Sequence, residues 1–371
     1  MFPIDDFISS LRPYFKWHPA RLYCFAAMIV ALFTVRTVNL REIAIAFISD
    51  ALVDSRYKRL RRFFTYFKID TAVIARWIFS LYISSNKQVY ITIDRTNWYW
   101  GKSKINVLVV AIAHEGVAIP LFCEILNTGG NATAEQHIAI LQRFVDVFGT
   151  DCIASILGDR EFASYKLFTW CNCSHANKIP FHIRVKEKSL AKIKKGKGKG
   201  KHVRHLFSHL NPKEHGAYPY IIELYDAHVY VAGSRSETGE LMIVVTNQSS
   251  KNAIAIYLRR WEIETLFSCL KERGFNFEDT RMTEKERLEK LMCLLAVAVA
   301  WVHKIGEWRA ELKPIRFKIY RGGIRRPQYS YFRYGLDFIR EAIFQASKKC
   351  AEFKACIDLI TDINAAVMEA I

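Results

Sequence analysis

Three carboxylates and a small set of cations stand at spacings that suit phosphodiester chemistry. Asp94 ends the alternating run Gln88-Val-Tyr-Ile-Thr-Ile-Asp94, and Asp159 ends the apolar run that begins at Cys152. The third carboxylate lies in Tyr257-Leu-Arg-Arg-Trp-Glu-Ile-Glu-Thr-Leu-Phe-Ser-Cys-Leu-Lys271, which has neither Gly nor Pro and an apolar spacing that predicts one helix. At about 100° per residue, and with Tyr257 at zero, Arg260, Glu264 and Lys271 fall near about −60°, −20° and −40°. One narrow stripe then carries a phenol, a guanidinium, a carboxylate and an ammonium, while Glu262 points the other way. By itself such a stripe is also what a solvated surface helix looks like. Cutting or joining a phosphodiester needs a nucleophilic oxygen, a held negative charge and a leaving oxygen, and two divalent ions bound by carboxylates supply all three. Asp and Glu oxygens suit Mg²⁺ or Mn²⁺. Asp94 is expected to bridge two ions, with Asp159 and Glu264 each holding one.

The elements that must position these groups follow from the sequence periods. Residues 1–85 read as helical, with amphipathic runs at Leu40 to Leu52 and Ile69 to Ile83. From Gln88 the period shortens to two, giving three strands in an antiparallel meander, Gln88 to Asp94, Ile105 to Ala113 and Val117 to Ile125. A helix from Ala134 to Phe148, a fourth strand from Cys152 to Leu157, a helix from Glu161 to about Cys171 and a fifth strand from Pro180 to Val185 follow. This order is that of a ribonuclease-H-like α/β core, in which the strands carrying Asp94 and Asp159 are neighbours. Residues 186–250 read as a β-rich basic insertion with its own small antiparallel sheet, Tyr218 to Leu224, His228 to Gly233 and Leu241 to Thr246. Residues 251–310 return the chain to the catalytic core, and 311–371 form a basic and helical C-terminal region.

Lys and Arg outnumber Asp and Glu by 54 to 36 in the 371 residues, a net charge of +18. Three tracts hold 23 of those cations. The first, within the N-terminal helical region, carries Arg56, Lys58, Arg59, Arg61 and Arg62 interleaved with aromatics, and predicts a DNA-binding helix. The second is a Lys/Gly loop that includes Lys194 and Lys195, and the third includes Arg325 and Arg326. An excess spread along the chain in this way points to an anionic polymer as partner, because each phosphate neutralised releases counterions. No apolar run approaches the length of a membrane span, the N-terminus lacks the pattern of a secretory signal, and nine scattered cysteines suit a reducing compartment. The expected location is the cytoplasm, on the nucleoid. Cys171, Cys173 and His175 lack the spacing of a zinc knuckle, and His114 and His137 are not needed as proton carriers beside a metal site.

The spacing Tyr257, Arg260, Glu264, Lys271 matches the Tyr-Arg-Glu-Lys signature of the bacterial insertion-sequence family four. With Ile93-Asp94-Arg95-Thr96-Asn97-Trp98, Gly158-Asp159-Arg160-Glu161-Phe162, Arg273-Gly-Phe-Asn-Phe-Glu-Asp-Thr280 and Phe332-Arg-Tyr-Gly-Leu336, the chain resembles a DDE transposase of that family over residues 50–340. The resemblance implies cut-and-paste transposition of an insertion sequence. Water nicks each end of the element, the freed 3′-OH forms a hairpin on the opposite strand, the hairpin is opened, and the 3′-OH joins target DNA. It implies two Mg²⁺ or Mn²⁺ ions, terminal inverted repeats and target DNA as double-stranded partners, and a homodimer in the synaptic complex. On this footing Arg260 and Lys271 clamp phosphates, Tyr257 donates to one, Trp261 stacks on DNA, and Arg95 and Arg160 orient the neighbouring carboxylates. Relatives carry a base-stacking Trp in the insertion. This chain has none between Trp170 and Trp261, which leaves Phe207, Tyr220, Tyr225 or Tyr230 as substitutes. Two other readings use the same residues differently: a nuclease that cuts without strand transfer, and a non-catalytic DNA-binding protein derived from a transposase.

Overall fold

The computed structural model describes residues 4–83, 87–126, 130–193, 200–320 and 322–361. The chain opens with five helices, α1 (Ile4–Leu11), α2 (Pro19–Val35), α3 (Leu40–Ala46), α4 (Val53–Tyr66) and α5 (Thr71–Tyr82). Local sequence sets their starts: Pro19 stands in the first turn of α2, and the Asn39 and Asp70 side chains accept from the backbone N–H of Arg41 and Ala72 to cap α3 and α5. The α2 helix is buried from Cys24 to Phe33, so its long apolar run belongs to the core. Among the described residues no single helix is long and apolar enough to cross a membrane.

The meander follows as β1 (Val89–Trp100), β2 (Ser103–His114) and β3 (Val117–Ile125), all antiparallel. Then come α6 (Ala134–Phe148), β4 (Ile153–Gly158), α7 (Tyr165–Cys173) and β5 (Phe181–Val185), with β4 parallel to both β1 and β5. A two-residue pair, β6 (Leu190–Ala191) and β7 (Lys201–His202), leads to β8 (His215–Leu224), β9 (Ala227–Arg235) and β10 (Leu241–Thr246). These last three strands do not form a sheet of their own. Ile243 pairs with Val185, so β10 adds to the edge of β5, and one mixed eight-stranded sheet results in the order β3-β2-β1-β4-β5-β10-β9-β8. The reason is the open edge that β5 presents: an antiparallel hairpin satisfies its backbone groups.

Two short helices cross back over the sheet, α8 (Ala253–Leu258) and α9 (Trp261–Leu270), where the sequence predicts one continuous helix. The break sits at Arg259-Arg260, where the backbone tightens to i→i+3 bonds, Arg260 N–H to Tyr257 O at 2.9 Å and Ile263 N–H to Arg260 O at 3.1 Å. On one side of it, Ala253 and Tyr257 pack on Ala232 and Val244 of β9 and β10; on the other, α9 lies over β3.

The long α10 (Lys285–Leu312), a small hairpin of β11 (Phe317–Ile319) and β12 (Arg325–Pro327), and α11 (Tyr331–Phe344) and α12 (Cys350–Asp358) complete the chain. The N-terminal helices share a core with these last helices. Trp301 of α10 stacks on Phe7 at 4.4 Å and lies edge-on to Phe33, and its indole N–H donates to Cys356 O. Helices α10 and α11 cross backbone to backbone. A Cβ on Gly306 would fall 1.9 Å from Tyr331 O, and one on Gly335 would fall 1.9 Å from Val302 O. The segment Phe332 to Leu336 therefore serves packing: Phe332 and Leu336 are buried and Gly335 permits the crossing.

Candidate active site

The register of the sheet centre brings two carboxylates together. Ile93 pairs with Gly158 in the parallel β1–β4 ladder, so Asp94 and Asp159 are the next residues on neighbouring strands. Strands so paired lie about 4.8 Å apart. The helix break passes over this point and supplies the other side chains. Arg260, nearly inaccessible to solvent, donates from Nη1 to Asp94 Oδ2 at 3.0 Å, from Nη2 to Glu264 Oε1 at 2.5 Å and from Nε to the Tyr257 hydroxyl at 3.1 Å. The Tyr257 hydroxyl in turn donates to Asp159 Oδ1 at 3.4 Å. All three predicted carboxylates and two of the three other signature residues thus form one connected cluster, and the tight turn keeps residues 257, 260 and 264 on the same side.

Burial and charge shape the cluster. Asp94 is pushed up from 3.8 to about 6, because burial disfavours its charge more than the Arg95 backbone N–H (2.7 Å) and Arg260 favour it. Tyr257 is pushed up to about 12 by burial, so its hydroxyl stays a donor even well above neutral pH. Burial opposes the charge of Arg260, yet the Tyr257 oxygen, Glu264 and Asp94 raise its affinity for the proton further. One guanidinium thus bridges two of the three carboxylates.

Other predicted residues separate from the cluster. Lys271 caps the far end of α9, where its ammonium pairs with Glu278 at 2.7 Å and donates to Asn97 O at 3.3 Å over the Trp98 ring. It lies beyond the carboxylates along β1, because the chain turns out of helix at this residue. Arg95 is committed to carboxylate, meeting Glu161 with two hydrogen bonds (2.7 and 2.8 Å) and Asn131 with a third. This ties β1 to the segment after β4. Arg160 is exposed and lines an open cleft of about 540 Å³ with Asp159, Glu161, Lys186 and Tyr225. Trp261 is 54% exposed at the start of α9.

The basic tracts divide as well. Lys58, Arg59, Arg61 and Arg62 are exposed on α4. Arg56, predicted beside them, instead turns inward and donates to the carbonyls of Ala51 (2.6 Å), Phe47 (3.1 Å) and Ile45 (3.2 Å), holding the α3–α4 connection. Arg325 and Arg326 lie on the exposed β12, with Arg325 over the Phe317 ring. Lys194 and Lys195 fall outside the described residues. Of the substitute aromatics, Phe207 is buried against Gly233 and cannot stack a base. Tyr220 is exposed, Tyr230 is half-buried, and Tyr225 stands at the β8–β9 turn in the cleft beside Asp159.

Two site residues escape the sequence reading. Arg184 of β5 reaches Asp159 Oδ1 at 3.9 Å and Glu240 at 3.1 Å, and Glu161 holds Arg95. The strand alternation that exposes Asp159 could have signalled Arg184. Glu161 had no signal beyond its place in the Asp159 block.

Residues 85–301, more than half of the chain, match the family described as the Transposase DDE domain. The chain belongs to the DDE transposase family. The match spans every carboxylate of the cluster and the whole helix pair that delivers Glu264. Among solved structures, a piggyBac transposase synaptic complex with hairpin DNA superposes with a TM-score of 0.46 at 10% identity, covering 93% of this chain and 76% of that one. A likeness at that level carries no weight for this DDE-family chain. No curated protein matches it.

Proposed function

We propose that this chain is a DNA transposase of the Tyr-Arg-Glu-Lys branch of insertion-sequence family four, with a ribonuclease-H-like core that excises and integrates its own element. The observation that carries the reading is that Asp94 and Glu264 meet on Arg260 at the centre of the sheet, with Asp159 joined to them through the Tyr257 hydroxyl. The donor set fits the divalent ions that DDE transposases use. It is all carboxylate oxygen, and the buried charge of Asp94 is one that a cation relieves. Asp94, Asp159 and Glu264 would hold two Mg²⁺ or Mn²⁺ ions, which when bound supply charge neutralisation at the phosphate and activation of the attacking and leaving oxygens.

The chain's own residues do the rest. The Arg95 backbone N–H fixes one oxygen of Asp94, and the Arg95–Glu161 pair holds the two carboxylate-bearing strand ends in register. Arg260 keeps Asp94 and Glu264 within reach of each other. Its planar donors also suit a phosphate, and the Tyr257 hydroxyl, protonated as any phenol is near neutral pH, can donate to another phosphate oxygen. Each step of excision through hairpin ends and of integration is an in-line displacement at phosphorus, so one such site serves them all. Tyr225, lining the cleft beside Asp159, takes the part of the stacking aromatic that hairpin handling requires. The exposed cations of α4, together with Arg325 and Arg326, contact the backbone of inverted repeats and target, in a homodimer on the nucleoid.

A pre-nicked element end offered with Mg²⁺ and target DNA tests the reading. The expected product is the element strand joined to target, present with the wild-type chain and absent with Asp94→Asn. Cleavage without any joined product would leave a nuclease, and joining undiminished by Asp94→Asn would overturn the carboxylate assignment.

A further inference from the structure

Away from the carboxylate cluster, His114 at the end of β2 meets His303 and Glu307 of α10, and one nitrogen from each ring and a carboxylate oxygen all lie within 4.8 Å of one another. His303 and Glu307, four residues apart, share one face of the helix. His114 Nε2 contacts Glu307 Oε1 at 2.5 Å, and His303 Nδ1 lies 3.6 Å from the same oxygen. Lys304 approaches the other carboxylate oxygen at 3.8 Å. On β2, His114 is five residues beyond Val109, the partner of Asp94, which at about 3.4 Å per residue separates the two clusters by roughly 17 Å.

Two observations argue that this group is more than a packed ion pair. His303 is fully buried, yet its ring makes no well-formed hydrogen bond, only a loose approach to the Glu115 backbone, which is meagre company for a buried imidazole. Glu262, near enough to His114 for their charges to interact, likewise keeps Oε2 buried and unpartnered. The unmet nitrogen of His303 faces an oxygen that His114 already shares. In a tetrahedral site with bonds of about 2.1 Å, ligand atoms stand about 3.4 Å apart; the two contacts to Glu307 Oε1 are 2.5 and 3.6 Å and the whole set lies within 4.8 Å, so small side-chain shifts would close it on an ion.

We propose that His114, His303 and Glu307 form a second divalent-cation site, one that takes Zn²⁺ and ties the β2–β3 turn to α10. Two imidazoles and one carboxylate are the donors zinc prefers, whereas Mg²⁺ takes oxygen. The three leave a fourth position open, and His114, whose side chain is 21% exposed, is where the group meets solvent. The site is independent of the carboxylate cluster, so the two can be separated in one protein.

The test uses the full chain carrying Asp94→Asn, Asp159→Asn and Glu264→Gln, stripped with chelator, reloaded with Zn²⁺ and assayed by calorimetry and elemental analysis. One zinc per chain is expected, with a rise in melting temperature on loading. Adding His114→Gln, a partly exposed position, is expected to weaken zinc binding by about tenfold or more with little change in the metal-free melting temperature, and His303→Gln, in the core, to weaken it as much while also lowering that temperature. Co²⁺ in place of Zn²⁺ should give the intense visible bands of a tetrahedral site. Failure of the triple variant to bind zinc, or zinc binding unchanged by His114→Gln in a folded chain, would overturn the proposal.

Discussion

The centre of the sheet and the outer surface of α4 both draw on the same basic composition, and they use it in opposite ways. At the sheet centre three arginines are spoken for: Arg260 by Asp94 and Glu264, Arg95 by Glu161, Arg184 by Glu240 with Asp159 nearby. On α4 the exposed Lys58, Arg59, Arg61 and Arg62 enter no ion pair among the described residues. The net charge of +18 is therefore not one property. Buried cations set the shape and the ionisation of a carboxylate cluster, while exposed ones remain available to phosphate. Removing a group from the first population should change what the protein does, and removing one from the second should change only how tightly, and at what salt, it holds DNA.

The largest effect is expected at Glu264. Glu264→Gln keeps the shape and the acceptor for Arg260 but removes the charge a cation needs, and should lower strand cleavage by on the order of 10³-fold or more in a gel assay, with DNA binding retained. Glu262→Gln, two residues away on the opposite side and paired with Arg259, should leave cleavage within a few-fold of wild type. Equal loss from both would mean that the helix as a whole matters, and the distinction between the two carboxylates would fail.

That contrast was legible in the sequence, because helical angles separate Glu264 from Glu262 even though the helix breaks between Tyr257 and Trp261. The break was not, since Arg259-Arg260 has neither Gly nor Pro, and the tightening comes from what Arg260 must reach. The meander followed from alternation and short turns, and the Asp94–Asp159 pairing from an order of elements like that of a ribonuclease-H-like core. The attachment of β10 to β5 did not, because a strand that closes its own hairpin and one that extends a larger sheet alternate alike. Arg56 and Lys271 read as free cations because spacing does not reveal which carbonyls or carboxylates the fold brings to them. His303 sits in an apolar stretch of α10, and only the packed structure places it beside His114 from the end of β2.

A smaller effect concerns pH. Asp94 has its folded-state value raised from 3.8 to about 6, worth about 3 kcal/mol at 1.36 kcal/mol per pH unit. A raised value favours the protonated folded form, so this contribution to stability is fully present below about pH 3.8 and is lost as pH rises through about 6. Above pH 6 the charged Asp94 weighs on the metal-free fold, and a bound cation offsets it. Mg²⁺ should therefore raise the melting temperature more at pH 7.5 than at pH 5, and cleavage at limiting Mg²⁺ should fall by about tenfold per pH unit below about 6 as the proton competes. In Asp94→Asn the pH dependence of the Mg²⁺ effect should flatten. If it persisted unchanged, another group would be the one that titrates.

The smallest effects are expected on α4, where the contrast between paired and unpaired cations recurs within a single helix. Arg61→Ala with Arg62→Ala removes two exposed cations and should weaken DNA binding at low salt across all sequences, lowering the slope of log K against log salt by about 1 for each phosphate no longer neutralised. The melting temperature should hardly move. Arg56→Ala removes the donors to Ala51, Phe47 and Ile45 and should cost about 2 kcal/mol of stability by leaving those carbonyls unmet, with the salt slope unchanged. Salt titrations and melting curves on the two variants check both halves together. A salt slope that fell as much in Arg56→Ala as in the double variant would show that the inward arginine also reaches DNA, and that its three carbonyl hydrogen bonds give way when DNA binds.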